Sequence, residues 1–142
     1  MKKLLLFLSF LASQLFAEQC SEQQYKPYFD KNSDRFIHAY NLVNDFSEVV
    51  IDKKSISYNK KDNKVIALVI SQDFSDAEKG IVYIEREYDL NNNTMRMIRG
   101  TAYTCSGKMI LGGPGSGRWL DITSGSGNEF ELNHLKEYLN IK

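Results

Sequence analysis

The sequence contains few of the residues that usually build catalytic or metal sites. It has two histidines, two cysteines and one tryptophan in 142 residues, and its 18 basic residues equal its 18 acidic residues in number. His38 has no Cys, Asp or second His at metal-ligand spacing, and His134 lies beside an apolar helical stripe. The balanced charge gives no electrostatic reason to expect nucleic acid as a partner. We therefore expect no metal, no cofactor and no nucleic-acid partner.

The glycine-rich run at 112–117 has the spacing of a phosphate-binding loop but lacks its chemistry. Arg118 stands where the phosphate-binding Lys is required, and Trp119 where Ser or Thr holds magnesium. No helical pattern begins there, so no free N–H groups would face a phosphate. We therefore expect this run to be a mobile hairpin loop and the protein not to be an enzyme, with no catalytic residues. An enzyme would require Glu85 and Glu87, or the two histidines, to converge in a cleft.

The N-terminal residues have the pattern of a secretory signal peptide. Lys2 and Lys3 precede the apolar run Leu4–Leu11, and the segment ends at the small residue Ala17. The apolar run is shorter than the roughly 20 residues that span a bilayer, and no later apolar segment is longer. We expect cleavage between Ala17 and Glu18, export, and no integral membrane span after cleavage. An uncleaved N-terminal anchor is the alternative.

Cys20 and Cys105 both follow the predicted cleavage site. In an oxidising compartment, an even pair of cysteines predicts one disulfide. Closing so long a loop would stabilise the fold by about 4–5 kcal/mol in the chain-entropy model. Two free thiols are the alternative. Glu18 and Gln19 stand where small uncharged residues precede a lipid-modified cysteine, so we do not expect a lipid at Cys20.

Alternating apolar residues and turn signals predict a series of strands. The strand-like segments are 36–40, 49–58, 65–71, 81–90, 94–104 and 108–111. The continuous apolar character of 65–70 predicts a central strand covered on both faces, or one face of a dimer. We expect a signal peptide at 1–17, an irregular N-terminal arm at 18–34 and a single domain at 35–142.

The last part of the chain has the pattern of a helix. Three leucines recur at helical spacing within residues 128–140, namely Leu132, Leu135 and Leu139. Ser126 or Asn128 can cap the start of this helix. The predicted fold class is therefore α+β: an antiparallel meander of about five or six strands with one C-terminal helix packed on it.

Several elements, taken in order, resemble the surface-adhesin protein E family of Gram-negative bacteria. Those that match the family's patterns are Asp52, Ser55 and Ile56 in Y-I-D-x-x-S-I, Gly107 in a G-K-V-like hairpin, and Trp119, Asp121, Ile122 and Ser126 in a W-x-x-I-x-x-G-S ending. The resemblance covers roughly residues 36–138. It implies a small antiparallel sheet with a C-terminal helix and no catalytic residues.

The export signal and the resemblance together imply a non-enzymatic binding protein of the cell envelope. Its location would be the periplasm or the outer surface of a Gram-negative bacterium, with adhesion as the expected role. The expected partner is a host matrix protein or an envelope protein, and a homodimer formed through the sheet is left open. No matching motif identifies the binding residues. The alternative function is a periplasmic inhibitor or an accessory binding module of an envelope machine.

Overall fold

A computed structural model describes residues 34–42, 47–73, 80–104 and 107–141. Within these ranges, eight strands precede one α-helix. The strands are β1 (Phe36–Leu42), β2 (Ser47–Asp52), β3 (Ser57–Asn59), β4 (Lys64–Asp73), β5 (Ile81–Asp89), β6 (Thr94–Tyr103), β7 (Met109–Pro114) and β8 (Leu120–Asp121), and the helix is α1 (Gly127–Tyr138). The predicted cleavage site at Ala17 and Glu18 and the predicted disulfide between Cys20 and Cys105 lie outside the described residues, so both stay predictions.

The eight strands form one antiparallel sheet in the order β1-β2-β4-β5-β6-β7. β3 pairs with the beginning of β4, beside the end of β2, and β8 pairs with the beginning of β6, beyond the end of β7. The eight strands therefore occupy six positions, two of which are each shared by two short strands. This arrangement confirms the predicted α+β class, with its antiparallel meander and C-terminal helix.

The break between β2 and β3 is built by Asp52 and Ser55. Asp52 caps a single 3₁₀ turn at 53–55 by accepting a hydrogen bond from the backbone N–H of Lys54 at 3.1 Å. Ser55 Oγ donates to the carbonyl of Asp52 at 2.6 Å and accepts from the backbone N–H of Leu68 at 2.7 Å. Ile56 then packs against the main core. The single strand-like segment at 49–58 is therefore two strands joined by a turn that Ser55 ties to β4.

The break between β7 and β8 depends on Gly115. Its N–H donates to the carbonyl of Ile98 at 2.8 Å, and a Cβ at this position would lie 2.0 Å from the carbonyl oxygen of Met97. The expectation of a hairpin loop from 112 onward is wrong, because 112–114 pair with 99–101 and end β7. Glycine and proline have low strand propensity, and here the pairing with β6 overrides that preference.

The apolar core lies mainly between α1 and one face of the sheet. Leu132 and Leu135 are fully buried there and Leu139 is partly buried, which confirms the predicted helical stripe. β4 supplies buried residues to both faces of the sheet. Val65, Ala67 and Val69 join the cluster under α1, and Ile70 joins a smaller cluster with Phe36 and Val50. β4 is therefore a central strand covered on both faces, as its apolar sequence predicts.

Candidate functional site

Glu131 is the most deeply buried charged residue in the described part of the chain, with no exposed surface. Arg86 on β5 donates to Glu131 Oε2 and, at 3.0 Å, to Asn128 Oδ1. Tyr88 donates to Glu131 Oε2 at 2.5 Å, and Tyr40 on β1 donates to Glu131 Oε1 at 3.2 Å. One carboxylate of α1 is therefore held by three side chains from two different strands.

The electrostatics of this cluster keep its two tyrosines and its arginine protonated. Burial, followed by the negative charge of Glu131, raises the pKa of Tyr40 to about 12 and the pKa of Tyr88 well above its usual value. Burial alone would lower the pKa of Arg86, but the interactions with Glu131 and Tyr88 together outweigh burial and raise it. Both tyrosines therefore remain hydrogen-bond donors at neutral pH, and the cluster fastens α1 to the sheet.

The start of α1 is shaped by the same cluster. Ser126 is the N-cap, because its Oγ accepts from the backbone N–H of Glu129 at 3.3 Å. Asn128, the other predicted cap, instead accepts from Arg86. A Cβ at Gly127 would lie 2.4 Å from the hydroxyl oxygen of Tyr40, so a glycine at this position gives the tyrosine room to reach Glu131.

The face of the sheet opposite α1 carries a row of ion pairs. The pairs are Lys64 with Asp89 at 4.0 Å, Arg96 with Glu87 at 2.5 Å, and Arg99 with Glu85 at 2.6 Å. Trp119 packs against two of these cations, with Lys64 Nζ 4.9 Å and the Arg96 guanidinium carbon 4.8 Å from its ring centroid. Each exposed cation–π contact of this kind contributes about 0.5–1 kcal/mol. Trp119 therefore packs the segment that precedes β8 against side chains of β4 and β6.

Asp52 has a second partner in addition to the 3₁₀ turn. Arg35 donates to its carboxylate through Nε at 3.1 Å and through a terminal nitrogen at 2.8 Å. Burial would raise the pKa of Asp52, but the hydrogen bonds from Arg35 and from the backbone of Lys54 outweigh burial and lower it. Asp52 therefore joins the entry of β1 to the end of β2.

The remaining residues that carry the resemblance also have local roles. Gly107 has a φ of 84° in the β6–β7 hairpin, a conformation that favours glycine. Asp121 pairs with Thr94 in the sheet and is exposed. Ile122 is buried, and its N–H donates to the carbonyl of Asn93 at 3.0 Å. These residues lie at separate points of the sheet and do not converge on one site.

The two histidines belong to different elements and have different acidic neighbours. His38 Nδ1 bonds to Glu48, and its Nε2 is buried without a hydrogen-bond partner. His134 Nδ1 lies 3.8 Å from Glu137 on α1. The described ranges contain no group of three or more His, Cys, Asp or Glu side chains placed to hold a metal ion.

A shallow cavity of about 500 Å³ lies where β5 begins and β6 ends, beside the hairpin between β6 and β7. The residues that line it are Ile81, Tyr83, Thr101, Tyr103, Thr104 and Gly107. The rings of Tyr83 and Tyr103 meet edge to face, with their centroids 5.9 Å apart. The cavity is therefore an aromatic depression with hydroxyl groups on its rim.

β7 is the most exposed apolar element of the described sheet. It ends the sheet, and all six of its residues are exposed. Met109, Ile110 and Leu111 retain 60%, 47% and 63% of their surface in solvent. At the opposite end of the sheet, β1 contacts α1 and buries Phe36 and Ala39. Because an edge strand presents unpaired backbone groups, a consecutive apolar run on it is a template for pairing with another chain.

Sequence reasoning did not identify β7 as a site. Gly112 and Gly113 favour a loop by their low strand propensity, which predicts that the strand ends at Leu111. The sequence signal for this edge is the run Met109–Leu111. It has three apolar residues in succession but is too short to be a buried strand. Including residues 112–114 in the strand would have indicated an exposed edge strand.

In the described part of the chain, no helix has the length and apolar character needed to cross a membrane. None of the protein-family models, curated proteins or solved structures compared with this chain matches it significantly. The resemblance to the surface-adhesin protein E family therefore stays a prediction from the sequence elements quoted above.

Proposed function

We propose that this protein is an exported, non-enzymatic binding domain that holds an extended segment of a partner protein against the edge of β7. The observation that carries the proposal is the exposure of β7, where Met109, Ile110 and Leu111 are open to solvent on a strand with no second neighbour among the described strands. Addition of a strand from a partner would supply hydrogen bonds from the backbone and cover these side chains. Full burial of one such side chain contributes about 1.5–3 kcal/mol.

The burial or ion pairing of three glutamates supports a binding role over a catalytic one. Glu131 is enclosed and held by three donors, while Glu85 and Glu87 are each paired with an arginine. A general acid or base needs a carboxyl group within hydrogen-bond reach of a substrate. The enclosed carboxylate and the two paired ones instead stabilise the fold.

The proposed location is the cell envelope, on the signal-peptide pattern and the resemblance to surface-adhesin protein E. Adhesion to a host matrix protein requires the domain on the outer surface. An inhibitor or accessory module requires it in the periplasm. Protease treatment of intact cells, repeated after the outer membrane is permeabilised, separates the two. Digestion of the protein on intact cells supports adhesion. Protection of the protein until the outer membrane is permeabilised supports the periplasmic role.

The binding role is tested by a matched pair of variants. Leu111→Asn removes the most exposed apolar side chain of β7, whereas Phe130→Asn removes one that is 47% exposed on α1 and lies near Tyr40 of β1. Wild-type and variant domains are immobilised and exposed separately to envelope proteins and to host matrix proteins, and the retained proteins are identified by mass spectrometry. The proposal requires a protein that wild type and Phe130→Asn retain and Leu111→Asn loses. Equal retention by all three domains would refute binding through β7.

A further inference from the structure

The backbone of β7 fixes which of its groups face away from the sheet. Gly115 donates its N–H to β6, and residues of an antiparallel pair alternate between bonding to the partner and pointing away from it. Gly113 and Leu111 therefore bond to β6, and Gly112 presents both its N–H and its C=O outward. Pro114 presents only a C=O, because proline has no N–H. The edge therefore accepts a short strand and ends pairing at Pro114.

The side chains beside this edge suit an apolar segment. Leu111 and Gly113 pair with Ala102 and Gly100, on the face of the sheet that carries α1. A Cβ at Gly113 would have no heavy atom within 4 Å, so the space above it is open. An added strand can place one apolar side chain in this space, beside Leu111. Its neighbouring side chains then point toward the face of the sheet opposite α1.

The residues that flank β7 in the sequence carry charge of one sign. Lys108 precedes β7 and Arg118 follows it, both are exposed, and residues 107–119 contain no Asp or Glu. The intervening strand, Met109–Pro114, has no charged residue. A complementary partner therefore carries negative charge at the ends of the paired segment and none in its middle.

We infer that the segment bound by β7 is an extended peptide with an apolar middle and acidic residues at both ends. The inference rests on the proposed function and specifies the chemistry of its partner. A second copy of this chain is a poorer occupant, because antiparallel pairing through β7 would bring Lys108 of each copy toward the Arg118 end of the other. Negative charge at both ends suits either direction of the added strand.

Two synthetic peptides test the inference. Both have blocked termini and a middle of alternating Val and Thr; one has an Asp pair at each end and the other a Lys pair. A third peptide repeats the acidic sequence with N-methyl groups on the amides that would face β7. Fluorescence anisotropy measures binding to wild type, to the double variant K108E/R118E and to K60E/K61E. The last variant reverses two exposed charges on the turn between β3 and β4 and serves as the control.

We expect wild type and K60E/K61E to bind the acidic peptide about tenfold more tightly than the basic one, from two exposed charge pairs. The preference should reverse in K108E/R118E and shrink at high salt, where exposed charges are screened. N-methylation should abolish binding.

Equal affinity for the acidic and basic peptides, with loss on N-methylation, would overturn the acidic partner and leave the edge as the binding surface. If neither the acidic nor the basic peptide binds, the acidic partner is also overturned, while a natural partner lost in Leu111→Asn would keep the proposed function. Binding that is insensitive both to N-methylation and to Leu111→Asn would overturn both the acidic partner and the proposed function.

Discussion

Removing the charge of Glu131 should be among the most damaging single changes to this fold. Glu131→Gln keeps the size of the side chain and leaves an oxygen that can still accept from Tyr88. The guanidinium of Arg86, whose side chain is only 15% exposed, then has no opposing charge. Removing one partner of a buried ion pair typically costs 3–5 kcal/mol. Because Arg86 keeps its hydrogen bond to Asn128, we expect a loss of about 3 kcal/mol.

A double variant separates the effect of the unpaired charge from that of altered packing. R86M/E131Q leaves no charge in this buried cluster, so it should be more stable than Glu131→Gln alone, with a coupling energy of about 1–3 kcal/mol. Glu137→Gln is the control on the same helix. Its side chain is 83% exposed, and such surface changes usually lie within about 0.5 kcal/mol of wild type.

Urea unfolding followed by far-UV circular dichroism measures five proteins: wild type, Glu131→Gln, Arg86→Met, R86M/E131Q and Glu137→Gln. The free energies of unfolding are compared at equal slope, so that a change in the midpoint reports stability. The reasoning is refuted if Glu131→Gln lies within about 1 kcal/mol of wild type. It is also refuted if the double variant loses the sum of the two single losses, because independent sites add.

Three further outcomes are expected. Gly115→Ala should lower the free energy of unfolding by about 1–3 kcal/mol in chemical denaturation because its Cβ meets a backbone carbonyl, whereas Gly113→Ala, in open space, should stay near wild type; equal losses would contradict this. Asp52 has a lowered pKa in the fold, so its stabilisation is present above the unfolded pKa of about 3.9 and is lost as pH falls through the folded value. The melting temperatures of wild type and Asp52→Asn should therefore converge below about pH 4, and a constant gap would argue against the ion pair. Reduction of a Cys20–Cys105 disulfide should lower the melting temperature by several degrees, and no change would remove the predicted bond.

The sheet and helix were predictable because their signals are local. The leucine stripe of α1 and the apolar run of β4 each lie within a single element. Each therefore indicates burial without reference to the rest of the chain. Ser126 was predictable as an N-cap for the same reason. The break between β2 and β3 was not, since it depends on Ser55 bonding to Leu68 of another strand.

The cluster around Glu131 could be predicted only in part. Ile84, Arg86 and Tyr88 are spaced two residues apart, so a period of two places the charge of Arg86 on the same core-facing side of β5 as its apolar neighbours. That position requires a buried partner, but Glu131 lies 45 residues away, and no local pattern joins the two. The edge of β7 was missed because glycine propensity describes an isolated segment, whereas its pairing with β6 is set by the rest of the sheet.

Among the described elements, the C-terminal helix α1 is the one that completes the main core. Until α1 has been made, Arg86 lacks its carboxylate and the main core lacks Leu132 and Leu135. Chains are made from the N-terminus at about 5–20 residues per second, so all eight strands are synthesised before the helix that covers them. The main core therefore cannot close on a nascent chain until α1 has been synthesised.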